Sequence, residues 1–224
     1  MKNIIFLIIL GLILSCSATK TIKFTEIADE ITTTSSLKTF LKNNPNPKIV
    51  LRTTGTAQKI TDAEAKQSNY LYNAIENELL KNKFVVRDRQ LFNQIVNNNE
   101  NNNNYGNLKE KSDTDLIIEL INLDPTVRYD TNKYYDSKGK ERTESSSWER
   151  YGATIEFKII MIDNNEFAGI YKFNYTPCTK GCLLNERYTK PKLNDVEAYE
   201  GVEFDILEDF VINATRDLVN EMRN

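Results

Sequence analysis

Histidine is absent from all 224 residues. Its absence excludes Ser-His-Asp and Cys-His catalysis and the usual His-containing zinc sites. Cysteine is nearly absent: only Cys16, Cys178 and Cys182 occur. Two thiols beyond Cys16, without a histidine or a second nearby pair, make a poor metal site. An excess of positive charge is missing too, with 29 Lys and Arg against 32 Asp and Glu and a net charge of −3. That balance leaves no basic footprint for nucleic acid. Residues 195–209 are acidic without a basic residue, but their spacing matches no calcium loop. The dipole of a following helix favours such carboxylates on its own. No metal and no cofactor are expected.

What is present begins at residues 1–16, MKNIIFLIILGLILSC. Lys2 supplies a positive start, and residues 4–14 are apolar except for Gly11. A finished membrane span needs about 20 residues, so this run fits the h-region of a secretory signal instead. No later segment approaches a transmembrane helix. The end of the run, Ile13-Leu14-Ser15-Cys16, resembles the lipobox of bacterial lipoproteins. The resemblance implies removal of signal peptide 1–15 and acylation of Cys16, with palmitate among the chains. The plainer alternatives are an ordinary signal cut near Ser15 or Ala18, or an uncleaved anchor. Two or three acyl chains would hold the protein to membrane lipid durably, where one holds it marginally. Ser17, in place of the Asp that accompanies inner-membrane retention, points to the outer membrane, facing either the periplasm or the outside. About 209 residues would remain, enough for one domain.

Residues 16–47 read as a lipidated N-terminus and flexible spacer. They are rich in Thr, Ser and Lys, with a short helical signal at 36–42 closed by Asn43-Asn44-Pro45-Asn46-Pro47. A single globular domain is expected over 48–224. Ile49-Val50-Leu51 predicts a strand. Thr61-Asp62-Ala63-Glu64 has capping-box spacing, and Leu71, Ile75 and Leu79, widened by Tyr72 and Leu80, predict a helix of about five turns. Phe84-Val85-Val86 predicts a strand, after which Asp88 caps a helix over 89–96 with Leu91, Phe92, Ile95 and Val96 apolar. Residues 97–104, all Asn except Glu100, predict a surface loop. Residues 114–122, TDLIIELIN, are apolar on both faces and predict a central strand.

Residues 124–150 form a polar insertion. Val127, Tyr129 and Thr131 alternate, and Asp136-Ser137-Lys138-Gly139 supplies a turn, so a projecting hairpin is expected. Residues 153–162, with Ile155, Phe157, Ile159 and Met161 on one face, pair antiparallel with 167–175, where Phe167, Tyr171, Phe173 and Tyr175 share a face. Cys178 and Cys182 can bridge across a tight turn at Gly181 in an oxidising compartment, contributing about 2 kcal/mol. A redox-active pair is the alternative, although that chemistry normally uses Cys-x-x-Cys at a helix start. A last helix over 202–222 should present Leu207, Phe210, Val211, Ala214, Leu218 and Met222 to the core. The expected fold is α+β. It has a mixed sheet of three to five strands, two helices between the first strands, a long antiparallel hairpin, and a C-terminal helix packed on the sheet.

Ile49-Val50-Leu51, the capped helix from Asp62, Phe84-Val85-Val86-Arg87-Asp88-Arg89 and Thr114-Asp115-Leu116-Ile117-Ile118 together resemble the core of the curli-secretion (CsgG-like) lipoprotein family. Ile160-Met161-Ile162-Asp163 resembles its strand ending in Asp. A related fold occurs in lipoproteins that activate penicillin-binding proteins and in the N-terminal domain of the Tol-system β-propeller protein. The likeness covers 48–175. It departs after Ile118, where a Gly is usual and this chain continues Glu119-Leu120-Ile121-Asn122.

These features predict a non-enzymatic, lipid-anchored adaptor of the cell envelope, docking a protein partner of the secretion or peptidoglycan-synthesis machinery. Tyr129, Tyr134, Tyr135 and Trp148 are the candidate partner contacts, since aromatics dominate interface hot spots; equally, they can simply cover a local hairpin. One alternative is a subunit of a homo-oligomeric CsgG-like channel. Against it, residues 124–150 carry Arg128, Lys133, Lys138, Lys140 and Arg142, which a lipid-facing hairpin does not accept. Another is a carboxylate-dependent hydrolase using Asp115 and Glu119, residues that more simply mark strand edges.

Overall fold

The long strand over Leu116–Tyr135 organises the fold. The computed structural model describes residues 19–53, 62–97, 105–184 and 201–223. Among them are eight strands: β1 (Thr21–Ile22), β2 (Glu30–Thr33), β3 (Lys48–Thr53), β4 (Val85–Val86), β5 (Leu116–Tyr135), β6 (Glu141–Met161), β7 (Glu166–Tyr175) and β8 (Cys182–Leu183). The helices are α1 (Ser35–Asn43), α2 (Asp62–Lys81), α3 (Arg89–Asn97), α4 (Tyr105–Ser112) and α5 (Phe204–Arg223). The class is α+β, with the C-terminal helix on the sheet as expected. The residues gather into two compact units, and β5 and β6 supply residues to both.

The larger unit takes 27–127, 151–175 and 201–223. Its strand order is β2-β7-β6-β5-β3-β4, with β3 parallel to both β5 and β4. Alternation along the strands sorts side chains onto two faces. Ile49 and Leu51 of β3 join Leu116, Ile118 and Leu120 of β5 on one face, under α1, α2 and α5. Val50 and Ile117 face the other way, with Ile160 and Ile162, against Phe92 and Val96 of α3. The central position expected for 114–122 holds, because β5 lies between β3 and β6.

The helices follow their predicted faces with two exceptions. Leu71, Ile75 and Leu79 of α2 are buried, as are all six predicted residues of α5. Asp88 caps α3, accepting the Leu91 N–H at 2.7 Å. Leu80 and Leu91 are exposed instead, each lying at the margin of its helix's apolar arc. The predicted capping residue Thr61 and the Asn-rich 98–104 lie outside the described residues.

Chain 19–47 is not a spacer. Thr34 caps α1 by accepting the Leu37 N–H at 3.3 Å, and Leu37 and Leu41 are buried in the main core. Strand β2 pairs with β7 from Glu30↔Lys172 to Thr33↔Gly169, and the Thr33 hydroxyl donates to Tyr171 Oη at 2.7 Å. These additions, with β8, carry the sheet past the expected three to five strands. Phe167 also departs from expectation. A register shift between Ile159 and Ile160 leaves Ala168 as an extra residue on β7, so Ala168 turns inward and Phe167 stays exposed.

The smaller unit takes 19–26, 128–150 and 176–184, with strand order β8-β1-β5-β6. The expected hairpin is present: the Gly139 N–H donates to the Asp136 carbonyl at 2.8 Å, and Gly139 takes φ +73°. It is not a bare projection, however. Ile22, Phe24 and Trp148 are buried together, and residues 19–26 and 176–184 complete the unit.

Candidate functional site

Three helices of the larger unit end around one pocket. The chain after α1 returns through Asn44 and Pro45 to β3, and Asn44 caps the helix by donating its backbone N–H to the Phe40 carbonyl at 2.9 Å. Helix α2 closes in a Schellman turn: the Lys83 N–H reaches the Leu80 carbonyl at 3.0 Å and the Phe84 N–H reaches Leu79 at 3.1 Å. Lys83 takes φ 67°, the left-handed position usually held by glycine. Helix α5 contributes Arg223 from its last turn. Arg223 Nη2 donates to the Asn82 carbonyl at 2.7 Å and to Pro45 at 3.3 Å, and the guanidinium lies 5.0 Å from the Phe84 ring centre.

The resulting cavity is open and holds about 670 Å³. Lys38, Lys42, Lys83 and Arg223 supply its charge, Leu41 and Pro45 part of its wall, and among the described residues that line it none is acidic. Chemically this arrangement attracts anions. Beneath the same helices, Glu78 of α2 is buried and accepts from Arg216 Nε at 3.0 Å and Lys81 Nζ at 3.4 Å. Burial pushes the Glu78 carboxyl up, but the bonds and charges of Arg216 and Lys81 outweigh that and hold it below its usual range.

The residues singled out from the sequence lie elsewhere. Cys16 is outside the described residues. Cys178 and Cys182 are bonded, S–S 2.11 Å, and the Gly181 N–H donates to the Cys178 carbonyl at 2.9 Å, with Gly181 at φ +99°. Trp148 is buried, 7% exposed, with Tyr134 edge-on to it at 5.8 Å. Tyr129 packs on Phe24 at 5.7 Å and shares a 3.1 Å hydrogen bond with Thr176. These three aromatics are thus brought together as the core of the smaller unit. Tyr135 is half-buried, donates to Glu141 at 3.3 Å, and has the Lys23 ammonium 5.3 Å from its ring centre.

Asp115 and Glu119 do not form a hydrolase pair. Four residues along a strand separate them by roughly 13 Å, beyond the spans of about 5 to 9.5 Å used by glycosidase carboxylates. Asp115 accepts the Lys48 N–H at 2.9 Å. Glu119 marks no edge: it is buried in mid-sheet between Arg52 at 3.7 Å and Lys158 at 3.5 Å. Among the described residues no three His, Cys, Asp or Glu side chains gather as a metal site, and no helix is long and apolar enough to cross a membrane. Sequence reasoning missed the basic pocket. Its one legible trace is the like-charged pair Lys38 and Lys42, four residues apart on α1.

No family model matches the chain, and no curated protein matches it. Among solved structures it is similar to a PelC dodecamer from Paraburkholderia phytofirmans at 6% identity and TM-score 0.35, over 85% of this chain and 96% of that one. A variant of the same protein gives TM-score 0.37 over the same shares. A PDZ domain protein from Parabacteroides distasonis gives 13% identity and TM-score 0.35, over 92% of this chain and 38% of that one. Likenesses this distant carry no inference about this chain.

Proposed function

We propose that this chain is a lipid-anchored, non-enzymatic protein of the bacterial cell envelope. It is held by acylated Cys16, in the outer membrane, and serves as an interaction domain for a protein partner in secretion or peptidoglycan synthesis. One observation carries this reading: the first described strand starts a few residues after the lipobox. Thr21 opens β1 five residues beyond Cys16, which is at most roughly 18 Å of extended chain. A fold on so short a tether works at the bilayer surface, where its partner must also be. The Cys178–Cys182 disulfide supports the same compartment, because such bonds persist in oxidising surroundings.

Metabolic labelling with palmitate, paired with membrane fractionation, tests the proposal. The native chain should incorporate label and sediment with membranes, and Cys16→Ala should do neither. Equal sedimentation of the unlabelled Cys16→Ala chain would overturn it.

A further inference from the structure

We propose that the basic pocket at the ends of α1, α2 and α5 binds a phosphate-bearing group that carries at least two negative charges. This goes beyond the anchored-adaptor reading and does not depend on it. Four cations, Lys38, Lys42, Lys83 and Arg223, surround one cavity of about 670 Å³, and among the described residues that line it none is a carboxylate.

Some cations elsewhere in this molecule are matched to acids. Lys20 meets Glu144 at 2.9 Å, Lys48 meets Asp113 at 2.7 Å, Lys133 meets Glu141 at 3.0 Å and Lys172 meets Glu30 at 2.6 Å. Lys38, Lys42 and Lys83 form no ion pair among the described residues. The exposed Lys23, Lys138, Lys140 and Lys180 form none there either, so it is convergence on one cavity that sets the pocket apart. A structural explanation accounts for only half of the cluster. A helix C-terminus attracts cations, which explains Lys42 and Arg223 in the last turns of α1 and α5. It does not explain Lys38, set one turn back where a like charge four residues from Lys42 is unfavourable. Nor does it explain Lys83, which occupies a left-handed position that glycine fills without steric cost.

Arg223 is preorganised. Its two bonds to main-chain carbonyls both use Nη2, and the guanidinium lies 5.0 Å from the centre of the Phe84 ring. Nε and Nη1 make no hydrogen bond among the described residues. A guanidinium fork so fixed, beside flexible ammonium point charges, suits phosphate oxygens. A lone carboxylate would answer one of the four charges; a diphosphate or a clustered pair of phosphates answers most of them. The cavity volume falls in the range of small-molecule sites. The same chemistry can arrive as a soluble phosphate compound or as a phospholipid headgroup.

Calorimetric titration of inorganic pyrophosphate into the purified full chain at low salt, with phosphatidylcholine vesicles present, tests this. Binding should be measurable and should weaken with added sodium chloride. It should fall at least tenfold in Lys38→Gln/Lys42→Gln and several-fold in Lys83→Gly, a substitution the backbone there favours and which therefore keeps the fold. Repeating the titration with vesicles containing cardiolipin separates the sources. Weaker pyrophosphate binding there assigns the pocket to a headgroup, and unchanged binding assigns it to a soluble phosphate. No pyrophosphate binding, or binding that the substitutions leave intact, would overturn the proposal.

Discussion

Replacing Glu78 with glutamine should destabilise the larger unit at neutral pH and leave it nearly unaffected in acid. Glu78 is 5% exposed at its side chain and ties α2 to α5 through Arg216, with Lys81 and Asn82 as further donors. A hydrogen bond to a charged group contributes about 1.5–3 kcal/mol net. The Lys81 contact adds little, because Lys81 is 69% exposed and its ammonium is well solvated. Arg216 is 48% exposed, so it regains water when the carboxylate is neutralised, and glutamine retains one acceptor oxygen. The net cost is therefore about 1–2 kcal/mol, a fall in Tm of about 3–6 °C for a chain of this size. The sign of the pH dependence follows from the depressed carboxyl. A folded-state value below the unfolded one stabilises fully above the unfolded value of about 4.3, and that stabilisation is lost as pH falls through the folded value. Thermal unfolding of both proteins at pH 7 and pH 3 measures it. An equal gap at the two pH values would refute the reasoning, as would a more stable Glu78→Gln protein at pH 7.

Three other outcomes follow from the packing. Lys83→Gly should raise stability by about 0.5–1 kcal/mol in urea unfolding, since relief of a left-handed residue, about 1–2 kcal/mol, exceeds the added freedom of the unfolded chain. Leu218→Ala, at a fully buried position of α5, should cost about 2–5 kcal/mol in the same experiment. Cys178→Ser/Cys182→Ser should cost about 2 kcal/mol by the loop-closure estimate. Amide exchange should place that loss in the smaller unit, with the larger unit's core amides unchanged.

Where the pattern is local and long, the sequence can be read directly. Leu71, Ile75 and Leu79 recur at helical spacing, as do the six inward residues of α5, and the β6–β7 pair alternates with the period of a strand. Asp88 announces its helix because a cap acts over three residues. What escapes is decided by distant partners. Strands β1 and β2, two and four residues long, are strands only because Thr21 finds Leu183 and Tyr135 and Ile31 finds Tyr171. Nothing in TKTIKF signals that Ile22 and Phe24 will close over Trp148. The tyrosines around Trp148 resemble a contact patch in sequence, yet they have a core of their own to fill. Phe167 is displaced by a single extra residue in the ladder, a choice invisible to alternation. The basic pocket draws Lys38 and Arg223 from nearly opposite ends of the chain, so no window of sequence contains it.

The short connection from Cys16 to β1 matters only if that residue sits in a bilayer, so the chemistry of Cys16 comes first. Mass spectrometry of the native N-terminal peptide tests this directly. The predicted result is a mature chain beginning at Cys16 with a diacylglyceryl group on its sulfur. A chain that begins elsewhere, or a Cys16 bearing no lipid, would contradict it.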